Sequence, residues 1–341
     1  MPIQSVELCA GAGGQAFGLE QAGIEHVVLV DNDAPACATL RLNRPHWDVR
    51  EADIKEFSAK GWRGAGLVTG GLPCPPYSIA GKQLGPADDR DLFGHGLRVM
   101  DEVRPDGAMI ENVKGILDPR FEAVRENIRC GLKRLGFWCD WRLLNAADYG
   151  VSQLRPRVVF VALKAEAAEH FLWPTPNPWS PPTVGACLLD LMAANGWEGA
   201  AKWAEGADDI APTLVGGSKK HGGPDLGPTR ARKAWAVLGV NGKSLAADAP
   251  EPGYEGMPRL TVRMAARIQG FPDSWQFSGR KTAAYRQVGN AFPPPVACAV
   301  GRQVRAALEA AARSRIGGNT TKTRLGRKAR SINRVDEPNL P

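Results

Sequence analysis

The first 165 residues alternate short apolar runs with amphipathic stretches, and this alternation constrains the fold more than any other feature of the chain. The runs SVELCA, HVVLVD, GAGLVTGG, GAMIENV and PRVVFVALK predict strands, and segments between them such as APACATLRLN and FEAVRENIRCGLKRLG predict helices. Strands that alternate with helices favour a mostly parallel sheet covered on both faces. We therefore predict an α/β fold built on a Rossmann-like, mostly parallel sheet.

The alternation stops at PTPNPWSPP, residues 174–182, and a strong helical pattern returns near the end of the chain in AVGRQVRAALEAAAR. Between them lies a stretch rich in Gly and Pro with weak periodicity. We predict that residues 1–165 and 283–312 form the larger domain and that residues 166–282 form a smaller, loop-rich domain. A hydrophobic content of 43% suits a globular chain of this kind.

Positive charge is concentrated at the C-terminal end. The net charge is +7, and from Arg313 onward eight Lys or Arg against two acids give 8 − 2 = +6, which leaves 7 − 6 = +1 for the rest. Residues 313–341 also lack apolar periodicity, so we predict a basic, disordered tail. Such a tail contacts nucleic acid or is simply a solvated end, and the sequence favours neither.

Several classes of protein are disfavoured by what the sequence lacks. No apolar run approaches 18 residues, and MPIQSVELCAGAGG does not resemble a signal peptide, so we expect no membrane span and no secretion. The seven cysteines are scattered without a CxxC pair, so we expect no metal site and a reducing, cytoplasmic location.

A glycine-rich turn, ELCAGAGGQAFG, follows the first predicted strand and opens a helix. Gly11, Gly13 and Ala16 fit the G-x-G-x-x-G/A pattern, and Asp31 lies twenty residues after Gly11. The pattern fits a nicotinamide dinucleotide, and it also fits S-adenosylmethionine, which has ribose hydroxyls but no phosphates. A second acid after the third strand, Asp53, suits the amino group of an uncharged adenosine and favours the second ligand.

One cysteine stands in a stiff turn, GGLPCPPYS, in which Pro73 and Pro75 restrict the backbone around Cys74. Taken alone, such a turn is most simply a structural loop. The chain continues with ENV at 111–113, QLRPR at 153–157 and RQVGNAFPPPVA at 286–297, each of which has a structural explanation by itself. Because ligands of open α/β sheets bind outside the carboxyl ends of the strands, we expect Cys74 and Glu111 to share one cleft.

Taken in order, these segments resemble the motifs of the DNA cytosine-5 methyltransferases from near the N-terminus to about residue 312. The resemblance rests on LCAGAGG, the two acids, GGLPCPPYSIAG with DDRDLF, ENV, QLRPR, RLTVRMAARIQGFPDSW and QVGNAFPPPVA. The chain departs from the family at Pro75, where Gln is usual, and at Cys9, where Phe is usual. Neither departure removes a catalytic group.

The resemblance implies a class I S-adenosylmethionine-dependent methyltransferase fold and sequence-specific methylation of cytosine C5 in double-stranded DNA. S-adenosyl-L-methionine is the implied cofactor and S-adenosyl-L-homocysteine the product. It also implies a monomeric bacterial modification enzyme of a restriction–modification system, with any cognate endonuclease acting separately. Residues 166–282 are then the target-recognition domain, and the stretch SIAGKQLGPADDRDLF is a loop that closes over DNA.

Residue roles follow from the same resemblance. Cys74 adds to C6 of a flipped cytosine, and Glu111 protonates or hydrogen-bonds N3. Asn112 orients the cysteine loop, and Arg155 and Arg157 hold the cytosine and its phosphate.

The implied cofactor-binding and DNA-binding residues form two larger sets. The expected cofactor contacts are Cys9, Ala10, Gly11, Gly13, Gly14, Asp31, Asn32, Asp53, Ile54, Pro73, Leu92, Asn290 and Ala291. The expected DNA contacts, with the basic ones on glycine- and proline-rich loops, are Ser78, Lys82, Arg90, Gln153, Thr213, Lys219, Lys220, Arg230, Arg232 and Lys233.

Three other functions compete with this interpretation. A nicotinamide oxidoreductase explains the glycine turn but neither PCPPYS nor QLRPR. A tRNA cytosine-5 methyltransferase would share the catalytic set, although such enzymes have a short recognition region and this one exceeds 100 residues. An inactive DNA-binding relative would not need Cys74, Glu111 and Arg155 intact.

Overall fold

The computed structural model describes residues 2–72, 92–217 and 223–331, with residues 316–331 as backbone alone. Within these ranges one sheet has seven strands in the order β3-β2-β1-β4-β5-β7-β6. The strands are β1 (Ile3–Leu8), β2 (Ile24–Asp31), β3 (Val49–Glu51), β4 (Leu67–Gly70), β5 (Gly107–Val113), β6 (Trp138–Asn145) and β7 (Pro156–Leu163). All neighbouring pairs are parallel except those of β7, which is antiparallel to β5 and to β6. The predicted mostly parallel α/β sheet is confirmed.

Helices connect the strands and build the second half of the chain. The described helices are α1 (Gly14–Gln21), α2 (Ala34–Asn43), α3 (Phe93–Val103), α4 (Glu122–Arg134), α5 (Ala165–Ala168), α6 (Val184–Met192), α7 (Ala200–Gly206), α8 (Thr229–Val237), α9 (Val262–Ile268), α10 (Lys281–Asn290) and α11 (Pro294–Ser331). Helix α2 coincides with the predicted APACATLRLN. Strand β6 was not predicted, because as an edge strand it has few buried residues and no clear alternation.

The order of the strands reverses beside β1. From β1 the chain builds β2 and β3 on one side of the sheet and then returns to place β4 and β5 on the other. The connections from β1 and β4 therefore leave in opposite directions and open a crevice at the carboxyl ends of these strands. Ligands of open α/β sheets bind at such a switch point.

The last helix returns to the sheet. Helix α11 packs so closely on α1 that a methyl group at Gly18 would lie 2.3 Å from the carbonyl oxygen of Pro294. The backbone stays helical through Ser331, which differs from the disordered tail expected from residue 313. The expectation rested on the charge and the missing apolar periodicity of residues 313–341, neither of which prevents the backbone from continuing α11. Arg315 adds contacts to Asp106 at 3.2 Å and Glu166 at 3.4 Å.

The region between residues 166 and 282 has its own buried aromatic residues, among them Trp203 and Trp235, but its core is continuous with that of α2. Trp275 is buried against Trp47, and its indole N–H donates to the carbonyl of Ala12 at 3.1 Å. The boundary proposed at residue 282 therefore falls inside one continuous core. No helix among the described residues is long and apolar enough to cross a membrane.

Candidate active site

The glycine-rich turn joins β1 to α1 with two close packing contacts. Gly13 has φ +83°, and a side chain there would lie 2.7 Å from Leu40 and 2.9 Å from Trp275. A methyl group at Gly14 would lie 2.2 Å from the carbonyl oxygen of Phe292. The amide of Gly11 donates to Asp31 Oδ2 at 2.7 Å, so the turn also fixes the carboxylate at the end of β2. Only glycine allows this approach of strand, helix and α10–α11 junction.

A cavity of about 400 Å³ opens at this turn, at the switch point of the sheet. Its walls come from the carboxyl ends of β1 to β5 and from the α10–α11 junction. The predicted cofactor residues that line it are Cys9, Ala10, Gly11, Gly14, Asp31, Asn32, Asp53, Ile54, Leu92, Asn290 and Ala291. Gly13 packs behind the wall, and Pro73 lies outside the described residues.

Sequence reasoning missed other parts of the lining, including Glu7, Gln15, Asp33, Gly217 and Arg286. Glu7 had a readable signal, because it is the one charged residue of β1 and stands between the apolar Val6 and Leu8. Arg286 had one as well, since it begins the quoted segment RQVGNAFPPPVA. Gly217 had none, because its position in the wall depends on tertiary packing.

Two residues of the lining each keep one fully buried oxygen, Glu7 Oε1 and Gln15 Oε1, without a hydrogen-bond partner among the described residues. Buried polar atoms without partners are rare and indicate that a ligand or water completes them. These two oxygens have almost no accessible surface, so a bound cofactor would act on them through its charge rather than by direct contact. With Asp31 and Asp53 at the ends of β2 and β3 for the adenosine, the residues present fit this cofactor.

Glu7 has an unusual electrostatic environment. Burial raises the pKa of its carboxyl to about 8, opposed by hydrogen bonds from the Thr69 hydroxyl and the Ala16 amide. His26 Nδ1 lies 3.7 Å from Glu7 Oε2, but burial lowers the pKa of His26 to about 4. The imidazole is therefore neutral near pH 7 and does not stabilise a charged Glu7.

Glu111 lies at the edge of the same cavity and forms an ion pair. Its Oε1 is 2.8 Å from Arg157 Nε, and both side chains are nearly buried, at 12% and 13% exposure. The antiparallel register pairs Arg157 with Val113. Val113 is two residues after Glu111 on β5, so all three side chains lie on the same face of the sheet. Burial raises the pKa of Glu111, and the charges of Arg157 and Arg155 oppose that shift. A carboxyl in this setting can hold a proton nearer to neutral pH than an exposed one.

Asn112, the next residue on β5, anchors the start of the segment that carries Cys74. Its side-chain amide donates to the carbonyl of Leu72 at 3.2 Å. Gly71 lines the cavity, and a methyl group there would lie 3.3 Å from Glu111 Oε2. The chain thus approaches Cys74 directly beside Glu111, while Cys74 itself lies outside the described residues.

The structure corrects the expectation that Arg155 touches the cytosine or its phosphate. Its side chain is fully buried, and its guanidinium donates to the carbonyls of Leu214 at 2.8 Å, Gly289 at 2.6 Å and Ala291 at 3.0 Å. Gln153, expected at the DNA surface, is also fully buried, and its side-chain amide donates to Gln269 at 2.6 Å. Both side chains point into the protein rather than outward. Their hydrogen bonds therefore join separate segments of the chain instead of contacting DNA.

The predicted DNA contacts divide into two groups. Ser78, Lys82, Arg90, Lys219 and Lys220 lie outside the described residues. Arg230, Arg232 and Lys233 lie on α8 rather than on the loop expected from the neighbouring Gly and Pro. Arg230 and Lys233 are exposed, and their spacing of three places them on one face of the helix. Thr213 is half-buried, and its hydroxyl donates to the carbonyl of Leu154 at 2.6 Å.

Comparison with known families agrees with this site. The profile described as "C-5 cytosine-specific DNA methylase" matches residues 3–306, which is most of the chain. The chain belongs to the C-5 cytosine-specific DNA methylase family. The predicted activity, DNA cytosine-5 methylation with S-adenosylmethionine, is confirmed at this level, and the tRNA-modifying, inactive and oxidoreductase alternatives are not favoured.

Relatives within the C-5 cytosine-specific DNA methylase family include two type II methyltransferases. M.NgoMIV of Neisseria gonorrhoeae is 53% identical over 316 residues, covering 91% of this chain and 99% of its own. M.NaeI of Lentzea aerocolonigenes is 53% identical over 312 residues, covering 90% of this chain and 75% of its own.

Solved structures of methyltransferases share the fold. A putative DNA modification methyltransferase encoded within an E. coli prophage superposes with a TM-score of 0.64 at 22% identity, covering 90% of this chain and 99% of that one. The Dnmt2 methyltransferase of S. pombe gives a TM-score of 0.60 at 19% identity, covering 90% and 98%. At this identity the likeness supports the class I methyltransferase fold.

Proposed function

We propose that this protein is the modification enzyme of a type II restriction–modification system and methylates C5 of one cytosine within a defined DNA site. One observation supports this most strongly. The Glu111–Arg157 pair lies at the edge of the cavity whose far side carries Asp31 and Asp53. Glu111, a proton donor for the cytosine, therefore lies in the same cleft as Asp31 and Asp53, which suit the adenosine of the cofactor. Transfer of a methyl group from cofactor to cytosine requires both binding sites in one cleft.

Cytosine C5 is a poor nucleophile until the ring is attacked at C6. In the proposed mechanism the thiolate of Cys74 adds to C6 while Glu111 protonates or hydrogen-bonds N3, and the ring becomes an enamine that is nucleophilic at C5. When bound, S-adenosylmethionine supplies an electrophilic methyl group to that carbon. A base then removes the C5 proton, and Cys74 leaves. Because C5 is inaccessible in a duplex, the base must first be flipped out, at a cost of about a few kcal/mol.

The neighbours of Glu111 have positioning roles in this proposal. Arg157 holds the Glu111 carboxyl in place through the 2.8 Å contact and is close enough to the cleft to contact the flipped base. Asn112 fixes the approach to Cys74 through its bond to Leu72. General-acid assistance of the kind assigned to Glu111 contributes typically about 10²–10⁴ in rate.

The cofactor would be held by residues from both halves of the cavity. Asp31 would accept hydrogen bonds from the ribose hydroxyls, and Asp53 with Ile54 would contact the adenine. Glu7 and Gln15 also line the cavity, but their unpaired oxygens are fully buried, so they would act on the methionine ammonium group through charge and polarity rather than by direct contact.

Target recognition is assigned to residues 166–282, with α8 as the described element best placed for it. Arg230 and Lys233 project from one exposed face, as side chains that enter the major groove must. Replacing a base-reading side chain by alanine should relax the site at one position, by about 1–3 kcal/mol per lost contact. Replacing a phosphate contact should weaken all sites equally. Lys202→Ala on α7, an exposed lysine of the same region, is the matched control.

Bisulfite sequencing of a plasmid that carries the gene tests the proposal. We expect one short sequence to be methylated at one cytosine, and no methylation with Cys74→Ser. We also propose that the target equals that of M.NgoMIV and M.NaeI, since both matches at 53% identity span about nine-tenths of this chain. Parallel sequencing of the three enzymes in one host decides this. Methylated tRNA with unmodified DNA would contradict the proposal.

The remaining proposals concern context. We propose that the protein acts as a monomer in the bacterial cytoplasm and that a cognate endonuclease acts separately on the same site. Light scattering of the purified protein with and without DNA tests the first point. Cleavage of unmethylated but not methylated plasmid by the host extract tests the second.

A further inference from the structure

Residues 211–217 form a short connection, here called the strap, between β7 and the wall of the cavity. At its start, Ala211 pairs with Gln153 in a parallel bridge. In its middle, the amide of Leu214 donates to Gln153 Oε1 at 2.8 Å. At its end, Gly217 lines the cavity and accepts a hydrogen bond from Asn290 Nδ2 at 3.2 Å. The strap therefore belongs to the recognition region by sequence and to the cofactor cavity by position.

Arg155 ties the strap to the end of α10. Its Nη1 donates to the carbonyl of Leu214, and its Nη2 donates to the carbonyls of Gly289 and Ala291. Ala291 lines the cavity, so one buried guanidinium holds two parts of the structure that meet at the cavity wall. Hydrogen bonds to a charged, buried donor are among the stronger ones in proteins.

Two glycines allow the strap to lie directly on α10. A methyl group at Gly216 would be 2.5 Å from Asn290 Oδ1 and 2.6 Å from the carbonyl oxygen of Arg286. A methyl group at Gly289 would be 2.4 Å from the amide nitrogen of Gly216. The backbones are in contact without intervening side chains, so a displacement on one side is transmitted to the other.

The opposite side of the strap faces the recognition region. Val215 is 43% exposed, and a methyl group at Gly227 would lie 3.5 Å from its Cγ2. Gly227 stands two residues before α8 begins at Thr229. The strap thus lies between the cavity and the start of the helix that carries Arg230 and Lys233.

We propose that Arg155 is a positioning residue that couples the cofactor cavity to the DNA-binding surface through the strap; this rests on the proposed function. A ligand in the cavity restrains Gly217, Asn290 and Ala291, and therefore the strap. DNA on the recognition region restrains the same strap from the other side. Each ligand then holds the strap in the position that the other requires, so each strengthens the binding of the other by the same factor, typically about 5–150-fold.

The experiment measures this factor by equilibrium binding. Fluorescence anisotropy gives the Kd of a short duplex that carries the methylated site, with and without saturating S-adenosylhomocysteine. We expect the product to lower the Kd of wild type at least fivefold. Arg155→Lys keeps the charge but cannot bridge three carbonyls, and Gly216→Ala forces the strap away from α10. Both should bring the ratio close to one. Gly206→Ala at the end of α7, where a methyl group meets no atom within 4 Å, should keep the wild-type ratio.

A double variant gives a sharper criterion. Where the single changes leave part of the coupling, Arg155→Lys combined with Gly216→Ala should lose no more coupling than the stronger single change, because both break one link. A ratio near one in wild type, or full coupling in Gly216→Ala, would overturn the proposal. If Arg155→Lys does not fold, Gly216→Ala still decides. Because wild-type methylation is assayed separately, a wild-type enzyme that methylates DNA but shows no coupling refutes this inference alone, whereas absence of DNA methylation refutes the proposed function.

Discussion

Binding of S-adenosylmethionine near pH 7 should release close to one proton, and Glu7 should be its source. With a pKa of about 8, the Glu7 carboxyl is about 0.9 protonated at pH 7. The bound ligand carries an ammonium and a sulfonium charge, partly offset by its carboxylate, into a cavity that Glu7 lines. Nearby positive charge favours the carboxylate and lowers its pKa. If the pKa of Glu7 falls well below 7 in the complex, the carboxyl becomes almost fully ionised and close to one proton leaves per ligand bound.

Calorimetry in buffers of different ionisation enthalpy measures this proton directly. The slope of the observed binding enthalpy against the buffer's ionisation enthalpy gives the number of protons released. The release should be about 0.9 at pH 7 and should fall as the pH rises past the pKa of Glu7, where the carboxyl is already ionised in the free protein. 5′-Methylthioadenosine has the same adenosine part without either charge, so it should release none. S-adenosylhomocysteine, with the ammonium alone, should lie between.

Two variants identify the source of the proton. Glu7→Gln keeps the shape of the side chain and should abolish the release. Glu111 also lines the cavity with a raised pKa, so Glu111→Gln shows how much it contributes. If wild type binds the cofactor at pH 7 without releasing protons, or if Glu7→Gln releases as many as wild type, the reasoning about Glu7 is wrong.

Four further predictions concern the site, the core and the C-terminal end of the chain. Cys74→Ser should abolish methyl transfer from labelled cofactor. The DNA affinity measured by gel shift should stay nearly unchanged, because phosphate contacts elsewhere supply most of that affinity. Appreciable turnover would contradict covalent catalysis. Glu111→Gln should lower kcat by about 10²–10⁴ with little change in DNA Kd, measured by single-turnover transfer, and an unchanged kcat would remove Glu111 from the mechanism. Trp275→Ala should lower the free energy of unfolding by about 3–5 kcal/mol, because the indole is buried. Urea titration measures this loss. A loss below about 1 kcal/mol would mean that the core around Trp275 is not tightly packed. Deleting residues 313–341 should leave the methylated sequence unchanged and at most flatten the salt dependence of DNA binding; an altered site in methylation sequencing would show that recognition was assigned to the wrong region.

Much of the sheet and of the cofactor cavity could be predicted from the sequence, because both depend on local patterns. Strand and helix periodicity placed the parallel strands, and the residues that follow each strand mark where the cleft must be. The turn at Gly11 and the acids Asp31 and Asp53 were found in this way. Glu7, the one charged residue of β1, was within reach of the same reasoning.

The roles of Arg155, Gly217 and Trp275 could not be predicted, since each depends on contacts with residues far away in the chain. Arg155 looked like a substrate-binding arginine in QLRPR, but its partners lie 59 to 136 residues further along. The sequence by itself determined which chemical groups gather at the carboxyl edge of the sheet, because strand direction and turn chemistry are local. Only the tertiary structure decided which of those groups face the cleft and which are buried in hydrogen bonds to the backbone. A buried guanidinium must find acceptors wherever the packed backbone provides them.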